Sequence, residues 1–276
     1  MSMKKESPSD VQVHLAALQG DVGLLRRVLD SGKVHVDSKD KDGTTPLILA
    51  AASGHVDCVK ELLEQGADSR ARRVTGTTAL FFAAQGGFLD IAQILLDRGA
   101  PVNSASVDGG TPLFVACQCG HMDVVKELVA RGAKVNSHMK DRATPLFIAA
   151  QNGHFKILLF LLAQGAIPDS RRTDGATPLW IAAQMGHDHV VKQLLKAGAN
   201  VDATRHNGES ALHAAALFGH VSVVKQLISA GADMTLRNQE GATPLQLAQD
   251  AKQTAVVEYL CSMPVDRVNG TAHKPV

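Results

Sequence analysis

Long apolar runs, aromatic side chains and an excess of one charge are all scarce in this sequence of 276 residues. The longest apolar run, 157–163, is far shorter than the roughly 20 residues that cross a bilayer, and no signal-peptide stretch follows the N-terminus. Lys and Arg number 28 against 27 Asp and Glu, so nucleic acid is not the expected partner. Aromatic residues make up 4%, which favours thin, closely packed elements over one large core.

Catalytic and metal-binding motifs are missing as well. The sequence has no Gly-x-Ser-x-Gly elbow, no P-loop, no His-Glu-x-x-His pair and no Rossmann fingerprint. Four cysteines are too few for a disulfide framework, and Cys117 and Cys119 would point apart on a helix, unlike zinc ligands. We therefore predict no enzyme activity, no cofactor and no metal, in a monomeric protein with reduced thiols in the cytoplasm or the nucleus.

What the chain does have is an internal repeat of 33 residues. One column of this repeat is a Thr-Pro-Leu triplet or a close variant, which begins at Thr45, Thr78, Thr111, Thr144, Thr177, Ser210 and Thr243. A second column is Gly66, Gly99, Gly132, Gly165, Gly198 and Gly231. A unit of this size cannot bury its apolar face alone, so the pattern indicates a stack of similar units, a solenoid.

The repeat register predicts about eight repeat units. The first and the last are degenerate, as is typical of capping repeats. The bounds of the repeat units are 11–39, 40–72, 73–105, 106–138, 139–171, 172–204, 205–237 and 238–263. A disordered N-terminus is predicted for 1–10 and a disordered tail for 264–276.

Each unit is predicted to be a turn, a short helix, a tight loop and a longer helix. In the second unit, Gly43 suits a turn that needs a positive φ. Thr45 can cap the first helix, and Pro46 fits its first position. Gly66 suits the residue that ends the second helix. The fold class is therefore all-α, built from helix-turn-helix units.

The recurring Thr-Pro-Leu, Ala-Ala, Gly-His, Leu-Leu and Gly-Ala elements resemble the ankyrin repeat, over about residues 11–263. The resemblance implies antiparallel helix pairs with β-hairpin fingers that project at right angles. It also implies protein binding as the activity and no catalysis. It gives a structural role to the histidine column, which contains His55, His121, His154, His187 and His220.

In this family the concave face, made of first helices and fingers, contacts partners. Repeat register places the contacting positions at Gln85, Gln118, Cys119, Gln151, Asn152, Gln184, Met185, Leu217 and Phe218. We predict that a partner segment binds here, because amides can bond to a peptide backbone and because Met185 and Phe218 can serve as apolar anchors. The alternative is that the glutamines are merely solvated helix surface.

A second hypothesis concerns arginines at the junctions between units. They are Arg72, Arg73, Arg171, Arg172, Arg205 and Arg237. Guanidinium groups bind phosphates and carboxylates with two parallel bonds, so these residues could hold a phosphorylated, acidic or nucleic-acid ligand. Nearby Asp108, Asp141 and Asp174 weigh against that hypothesis.

Departures from the repeat lead to further predictions. One column holds rings, at Phe81, Phe114, Phe147 and Trp180. These rings are either core between units, which we predict, or a ladder that stacks a ligand. Arg142 stands in a turn column that is otherwise glycine, which predicts a non-glycine residue at positive φ. Leu159 and Phe160 form either an exposed patch for self-association or for a second partner, or a pair in which Phe160 is partly buried.

The resemblance also suggests one modification. Asn103 and Asn136 follow a second helix, each directly after a valine and eight residues after a leucine. Ankyrin asparagines in that setting can be hydroxylated by an Fe(II)/2-oxoglutarate oxygenase. Pro101 and Lys134 replace the usual acidic residue here, which departs from the family pattern.

Overall fold

The structure is a computed structural model that describes residues 7–263. These described residues contain sixteen α-helices and no β-strand. The chain divides into two compact units, which we call unit 1, ending at Lys140, and unit 2, beginning at Asp141. The sequence did not predict this division. The predictions of disorder for residues 1–6 and 264–276 fall outside the described residues.

In unit 1 and in unit 2, each repeat has a first helix of 7 or 8 residues followed by a slightly longer second helix of 8 or 9, as predicted; the exception is α1, which has 12 residues. The helices of unit 1 are α1 (Pro8–Gln19), α2 (Val22–Asp30), α3 (Pro46–Ala52), α4 (Val56–Glu64), α5 (Ala79–Gly86), α6 (Leu89–Asp97), α7 (Pro112–Cys119) and α8 (Met122–Ala130). Those of unit 2 are α9 (Pro145–Gln151), α10 (Phe155–Ala163), α11 (Pro178–Met185), α12 (Asp188–Lys196), α13 (Ala211–Leu217), α14 (Val221–Ser229), α15 (Pro244–Asp250) and α16 (Thr254–Cys261). Within each unit, first helices pack on first helices and second helices on second helices.

The first helices begin where the sequence predicts. The Thr45 hydroxyl accepts a hydrogen bond from the Ile48 N–H, and Pro46 occupies the first helical position. Helix α1 begins earlier than predicted, because Ser7 and Asp10 form a reciprocal cap on its first turn. Residues 8–10 are therefore helical, which corrects the predicted disorder of 1–10 at these three positions.

The core is made of small and aliphatic side chains. Ala50, Ala83 and Ala116 are fully buried between helices, and this lets neighbouring helices approach closely. The rings of Phe114, Phe147 and Trp180 are only 7%, 2% and 4% exposed, so the prediction that this column is core is confirmed at these positions. Phe81 is the exception and is half-buried.

The segment before a first helix contains a tight turn. In one example, Arg73 N–H donates to Thr77 O at 3.0 Å and Gly76 N–H to Arg73 O at 2.8 Å. Within the described residues the sole bridge outside helices joins Thr204 and Ser210, so the β-hairpin character of the fingers stays a prediction. Arg142 has φ 67°, which confirms the prediction of a non-glycine residue at positive φ.

Backbone hydrogen bonds also join the tips of successive fingers. In unit 1 they run from Val74 N to Asp42 O, from Val107 N to Thr75 O and from Lys140 N to Asp108 O. In unit 2 they run from Thr173 N to Asp141 O, from His206 N to Asp174 O and from Gln239 N to Asn207 O. Each finger within a unit therefore donates to the finger that precedes it.

Candidate functional site

The best-formed candidate site lies at the C-terminal ends of α11 and α13 in unit 2. Met185 and Phe218 occupy the same repeat position on these adjacent helices and are 48% and 49% exposed. Gln184 and Leu217 occupy the preceding position and are half-buried. We call these four residues the first-helix face of unit 2. Its chemistry is that of a small apolar surface with an amide beside it.

The backbone beneath this face is fixed by hydrogen bonds. Helix α11 ends at Gly186, whose φ of 73° is left-handed. His220 Nε2 lies 2.9 Å from Gln184 O, and the Phe218 ring stacks on the His220 ring with centroids 6.5 Å apart. Phe218 is therefore held in place although half of it faces solvent, as a pre-organised anchor should be.

The other predicted contact residues are distributed over both units. In unit 1, Gln85, Gln118 and Cys119 are exposed at the ends of α5 and α7. In unit 2, Gln151 is half-buried and Asn152 exposed at the end of α9. The glutamine column thus supplies two residues to each unit.

The histidine column is structural, and its bonds run between helix pairs. Nε2 of the ring lies near a carbonyl of the preceding first helix in His55 (Leu18 O, 2.9 Å), His121 (Gln85 O, 2.9 Å), His187 (Gln151 O, 3.0 Å) and His220 (Gln184 O, 2.9 Å). These imidazole rings therefore each connect a helix pair to the pair before it. Among the described residues no cluster of His, Cys, Asp or Glu could hold a metal ion.

Three of the predicted junction arginines bond to backbone carbonyls. Arg72 donates to Gly76 O at 3.2 Å and also to Ala105 O. Arg171 donates to Thr204 O at 2.9 Å, and Arg237 to Gly241 O at 2.6 Å. These side chains therefore form hydrogen bonds within their own finger, to the next finger, or to both.

The other three lie over aromatic rings, and two of them share a carboxylate. The guanidinium of Arg172 lies 5.3 Å from the Phe147 centroid, and that of Arg205 lies 4.4 Å from the Trp180 centroid. Both donate to Asp174 Oδ2, at 2.5 Å and 2.9 Å. These bonds, led by the one from Arg172, hold the pKa of Asp174 well below its usual range.

Arg73 is held in a similar way in unit 1. Its guanidinium lies 5.7 Å from the Phe82 centroid, and its Nε donates to Thr44 Oγ1 at 3.0 Å. All six junction arginines thus have internal partners.

Comparison with known proteins identifies the repeat. A family profile described as "Ankyrin repeats (3 copies)" matches residues 13–106, 101–172 and 179–272, which is well over half of the chain. The chain belongs to the ankyrin-repeat family. Ankyrin repeats are in general modules for protein–protein interaction and carry no catalytic site of their own.

Several ankyrin proteins are similar to part of the chain. Ankyrin repeat domain-containing protein 29 is 49% identical in Homo sapiens and 51% identical in Danio rerio, each over 73 residues, or 26% of this chain and 24% of the relative. E3 ubiquitin-protein ligase KEG of Arabidopsis thaliana is 42% identical over 60 residues, or 22% of this chain and 4% of that protein. The alignments therefore span a quarter or less of these relatives.

Two further predicted ankyrin features have a clear place in the structure. Asn103 Nδ2 donates to Gly132 O at 3.1 Å, and its Oδ1 accepts from Lys134 N–H at 2.9 Å, while Asn136 is exposed. Hydroxylation at either asparagine stays a prediction, and a peptide mass without an added oxygen would count against it. Leu159 is 39% exposed and Phe160 is half-buried on α10, and self-association through them stays a hypothesis.

One feature of this ankyrin chain was not predicted from its sequence, a pocket between two fingers of unit 1. Val74 and Val107 form its outer edge and are 68% and 56% exposed. The signal was available in the repeat columns. Gly110 stands where the other repeats have Thr, Ala or Glu, and Ser106 stands where three repeats have arginine. Within the described residues, no helix is long and apolar enough to cross a membrane.

Proposed function

We propose that this protein is a non-catalytic interaction scaffold that binds a segment of a partner protein on the first-helix face of unit 2. The observation that carries the proposal is the pair Met185 and Phe218, both about half-exposed at equivalent positions of adjacent helices. Aromatic and methionine side chains held in place at a surface are typical anchors for partners. Gln184 beside them can offer both a donor and an acceptor to a peptide backbone.

The proposed scaffold acts as a monomer inside the cell, in the cytoplasm or the nucleus, and its partner is an unidentified protein. The alternative is an electrostatic binder that uses the six junction arginines. Their internal bonds weigh against this alternative, because an anionic ligand would have to displace carbonyl oxygens or the Asp174 carboxylate. Protein binding on the first-helix face requires no such exchange.

Affinity purification from cell lysate tests the proposal. The wild type is compared with the triple variant Gln184→Ala/Met185→Ala/Phe218→Ala, at about 0.15 M and about 0.5 M salt, since salt screens exposed charges. A control with Lys60→Ala/Lys126→Ala changes exposed residues of the second helices α4 and α8 in unit 1. We expect partners that bind the wild type and the control at both salt concentrations and are lost from the triple variant.

Two results would contradict the proposal. Equal recovery of every partner by the triple variant would remove the first-helix face of unit 2 from consideration. Partners lost from the wild type only at the higher salt concentration would favour the arginine hypothesis instead. Equal thermal midpoints of the three proteins are required, so that a loss of binding reflects the surface and not the fold.

A further inference from the structure

Phe81 is the least covered ring of its column, and its neighbours explain why. In unit 2 the guanidinium of Arg172 covers Phe147 and that of Arg205 covers Trp180. Arg172 and Arg205 stand in one repeat column, and the member of that column that corresponds to Phe81 is Ser106. Its side chain is too short to reach over a ring. Its Oγ instead accepts a hydrogen bond from Gly110 N–H at 3.0 Å.

A side chain at position 110 would also cover the Phe81 ring, but Gly110 has none. A Cβ atom at this position would lie 3.7 Å from Phe81 Cε2, in ordinary van der Waals contact, and 3.2 Å from Ser106 Oγ, a close contact from which the serine side chain would have to move by a few tenths of an ångström. The same column holds Thr44 and Thr77, whose buried side chains fill the corresponding place in earlier repeats. Gly110 does not have the left-handed backbone that would require glycine. Its conformation therefore gives no reason for the missing side chain, and the consequence of that absence is open space above the ring.

That space is a pocket of about 470 Å³ which lies wholly in unit 1. Its walls include Val74, Phe81, Val107, Phe114 and Met139, with Gly110 at its base. Val74 and Val107 lie at neighbouring finger tips, so their exposed side chains together form a small apolar patch beside the pocket. The volume falls within the range of roughly 300–1,000 Å³ that is typical of binding pockets.

The charges around the pocket indicate what kind of chain would bring an apolar group to it. The fingers of unit 1 (39–42, 72–75, 105–108 and 138–140) carry five Lys or Arg and three Asp, a net charge of +2. Arg72 and Arg73 keep the internal partners described above, so the lysines are the cations that can face a ligand. Asp108 lines the pocket and lies 3.8 Å from Lys140 Nζ, in a pair that is exposed on both sides and therefore weak. The tips on either side of the two valines are lysines, Lys41 and Lys140. An apolar side chain flanked by acidic residues would complement this arrangement.

We propose that the pocket above Phe81 receives one apolar side chain of an acidic protein segment that runs along the fingers of unit 1. The side chain packs on the exposed face of the Phe81 ring and between Val74 and Val107. The acidic residues on each side of it lie toward the flanking lysines. This binding site is separate from the first-helix face of unit 2, so it shares with the proposed function only the premise that the protein binds protein segments.

The test uses the full chain with isotope-labelled methyl groups and a short synthetic peptide. The peptide has a central Leu with two Glu on each side, and its matched controls carry a central Ala or replace the Glu by Lys. Titration by NMR reports on the methyl groups of Val74, Val107 and Met139. We expect these signals to shift with the Leu peptide, and both control peptides to bind at least about tenfold more weakly.

Two protein variants close the pocket by copying other repeats of this chain. Gly110→Thr restores the residue of Thr44 and Thr77. Ser106→Arg rebuilds the pairing of Arg172 with Asp174, because Asp108 occupies the Asp174 column. Each variant is expected to weaken the Leu peptide at least about tenfold and to leave the weak Ala peptide unchanged. Ala242→Thr, in the same column of unit 2, is the matched control and should bind as the wild type does.

The proposal is overturned if the Leu and Ala peptides bind equally, if neither binds, or if both closing variants bind like the wild type. Should one closing variant fail to fold, the other decides, and Val107→Lys, which copies Lys140, provides a third. The double variant Met185→Ala/Phe218→Ala should bind the peptide normally. A loss there would assign the peptide to the unit 2 face and overturn the pocket, whereas normal binding keeps the two proposals distinct.

Discussion

Arg142 occupies a turn position at which the other full repeats have glycine, and it has the left-handed φ of 67° that glycine would have. A side chain at this φ brings its Cβ close to the following carbonyl oxygen. The repeat thus keeps its turn at the expense of strain at one residue. Lys252, with φ 57°, is a second case, in the column that begins with Gly54.

We expect Arg142→Gly to stabilise the protein by about 1 kcal/mol, because glycine adopts this φ without the steric contact. The measurement is the thermal midpoint, which should rise by a few degrees. Arg142→Ala is the control: it removes the charge but keeps the Cβ, so it should not raise the midpoint. An unchanged or lower midpoint for the glycine variant would mean that the turn is not strained.

His213 gives the protein a source of acid sensitivity. It is fully buried, with Nδ1 accepting from Ser210 N–H at 3.2 Å and Nε2 lying 3.2 Å from Ala242 O. Burial lowers the pKa of this imidazole, so the folded state holds it neutral. As the pH falls below about 6.5, the unfolded chain binds a proton that the folded chain does not, and the free energy of unfolding decreases.

We expect the variant His213→Gln to be less acid-sensitive than the wild type. Glutamine fits the position, since Gln246 stands in the same column and forms a reciprocal cap with Thr243. Thermal midpoints at about pH 7.5 and about pH 5.5 provide the measurement, a range in which histidine titrates. The drop in midpoint between the two pH values should be smaller in the variant; equal drops would show that His213 does not contribute.

Residue identity predicted burial well where a column is uniform and less well where a column is broken. Gly54 and its equivalents indicate the left-handed backbone of Lys252, yet a column with a missing glycine is easily read as the end of the pattern. The Phe81 pocket follows from Ser106 and Gly110 together, and each of these residues alone looks like ordinary variation. The consequence of combining them depends on which side chain lies over which ring, and periodicity does not specify that.

At the scale of helices, a recurring hydrogen bond connects the histidine ring of one helix pair to a backbone carbonyl of the preceding pair. We call this contact the joint. His220 Nε2 lies 2.9 Å from Gln184 O, and Gln253 takes the same part in the last pair by donating to Leu217 O at 3.0 Å. This position therefore does not need an imidazole, and in the pair of α5 and α6 it is occupied by Phe88, whose ring lies close to Gly54 and cannot donate a hydrogen bond.

We expect His220→Ala to lower the free energy of unfolding by about 1 kcal/mol, the usual net value of one hydrogen bond. His220→Gln should lose less, because Gln253 shows that an amide can make the bond. Chemical denaturation measures both, with Lys192→Ala, an exposed residue of α12, as the control. If the Ala and Gln variants lose the same amount, packing of the ring and not its hydrogen bond supports the joint.

The start of a first helix has a stronger local signal in the sequence than the start of a second helix. The start of a first helix is marked by a hydroxyl residue that caps it and by a proline, as at Thr45 and Pro46. A second helix such as α4 begins directly after His55, which makes no side-chain cap. Its start is set by the left-handed Gly54 and by the bond that His55 makes to Leu18 O, and the second of these is a tertiary contact.

The whole chain has four thiols in two different environments. Cys119 and Cys261 are exposed, whereas Cys58 and Cys117 are buried. Burial raises the pKa of Cys58 to about 11 and also raises the pKa of Cys117, so neither forms the reactive thiolate at neutral pH.

We therefore expect two thiols to react with a chromogenic thiol reagent in the native protein and all four after unfolding in guanidinium chloride. Cys119→Ser should remove one of the two native equivalents. Cys117→Ser is the matched control, because it should leave the native count at two and lower only the unfolded count. Three or four reactive thiols in the native protein would show that one of the buried cysteines becomes accessible.

At the scale of the whole molecule, the repeat period predicted the order of the helices and the ankyrin family, because each column recurs in nearly every copy. The division after Lys140 was not predicted, since the 33-residue step continues through it without a change. Periodicity shows which repeats are alike, and it does not show where the chain divides into unit 1 and unit 2.

The bonds that join neighbouring helix pairs also bear on how the chain is made. The most widely separated bond named above, from His55 to Leu18, joins residues only 37 positions apart. The entropy cost of closing such short loops is small. As the chain leaves the ribosome, a helix pair can dock on the preceding pair of the same unit as soon as its joining residue, a histidine in most pairs, has emerged. Folding of this protein can therefore proceed in the order of its synthesis, one repeat behind translation.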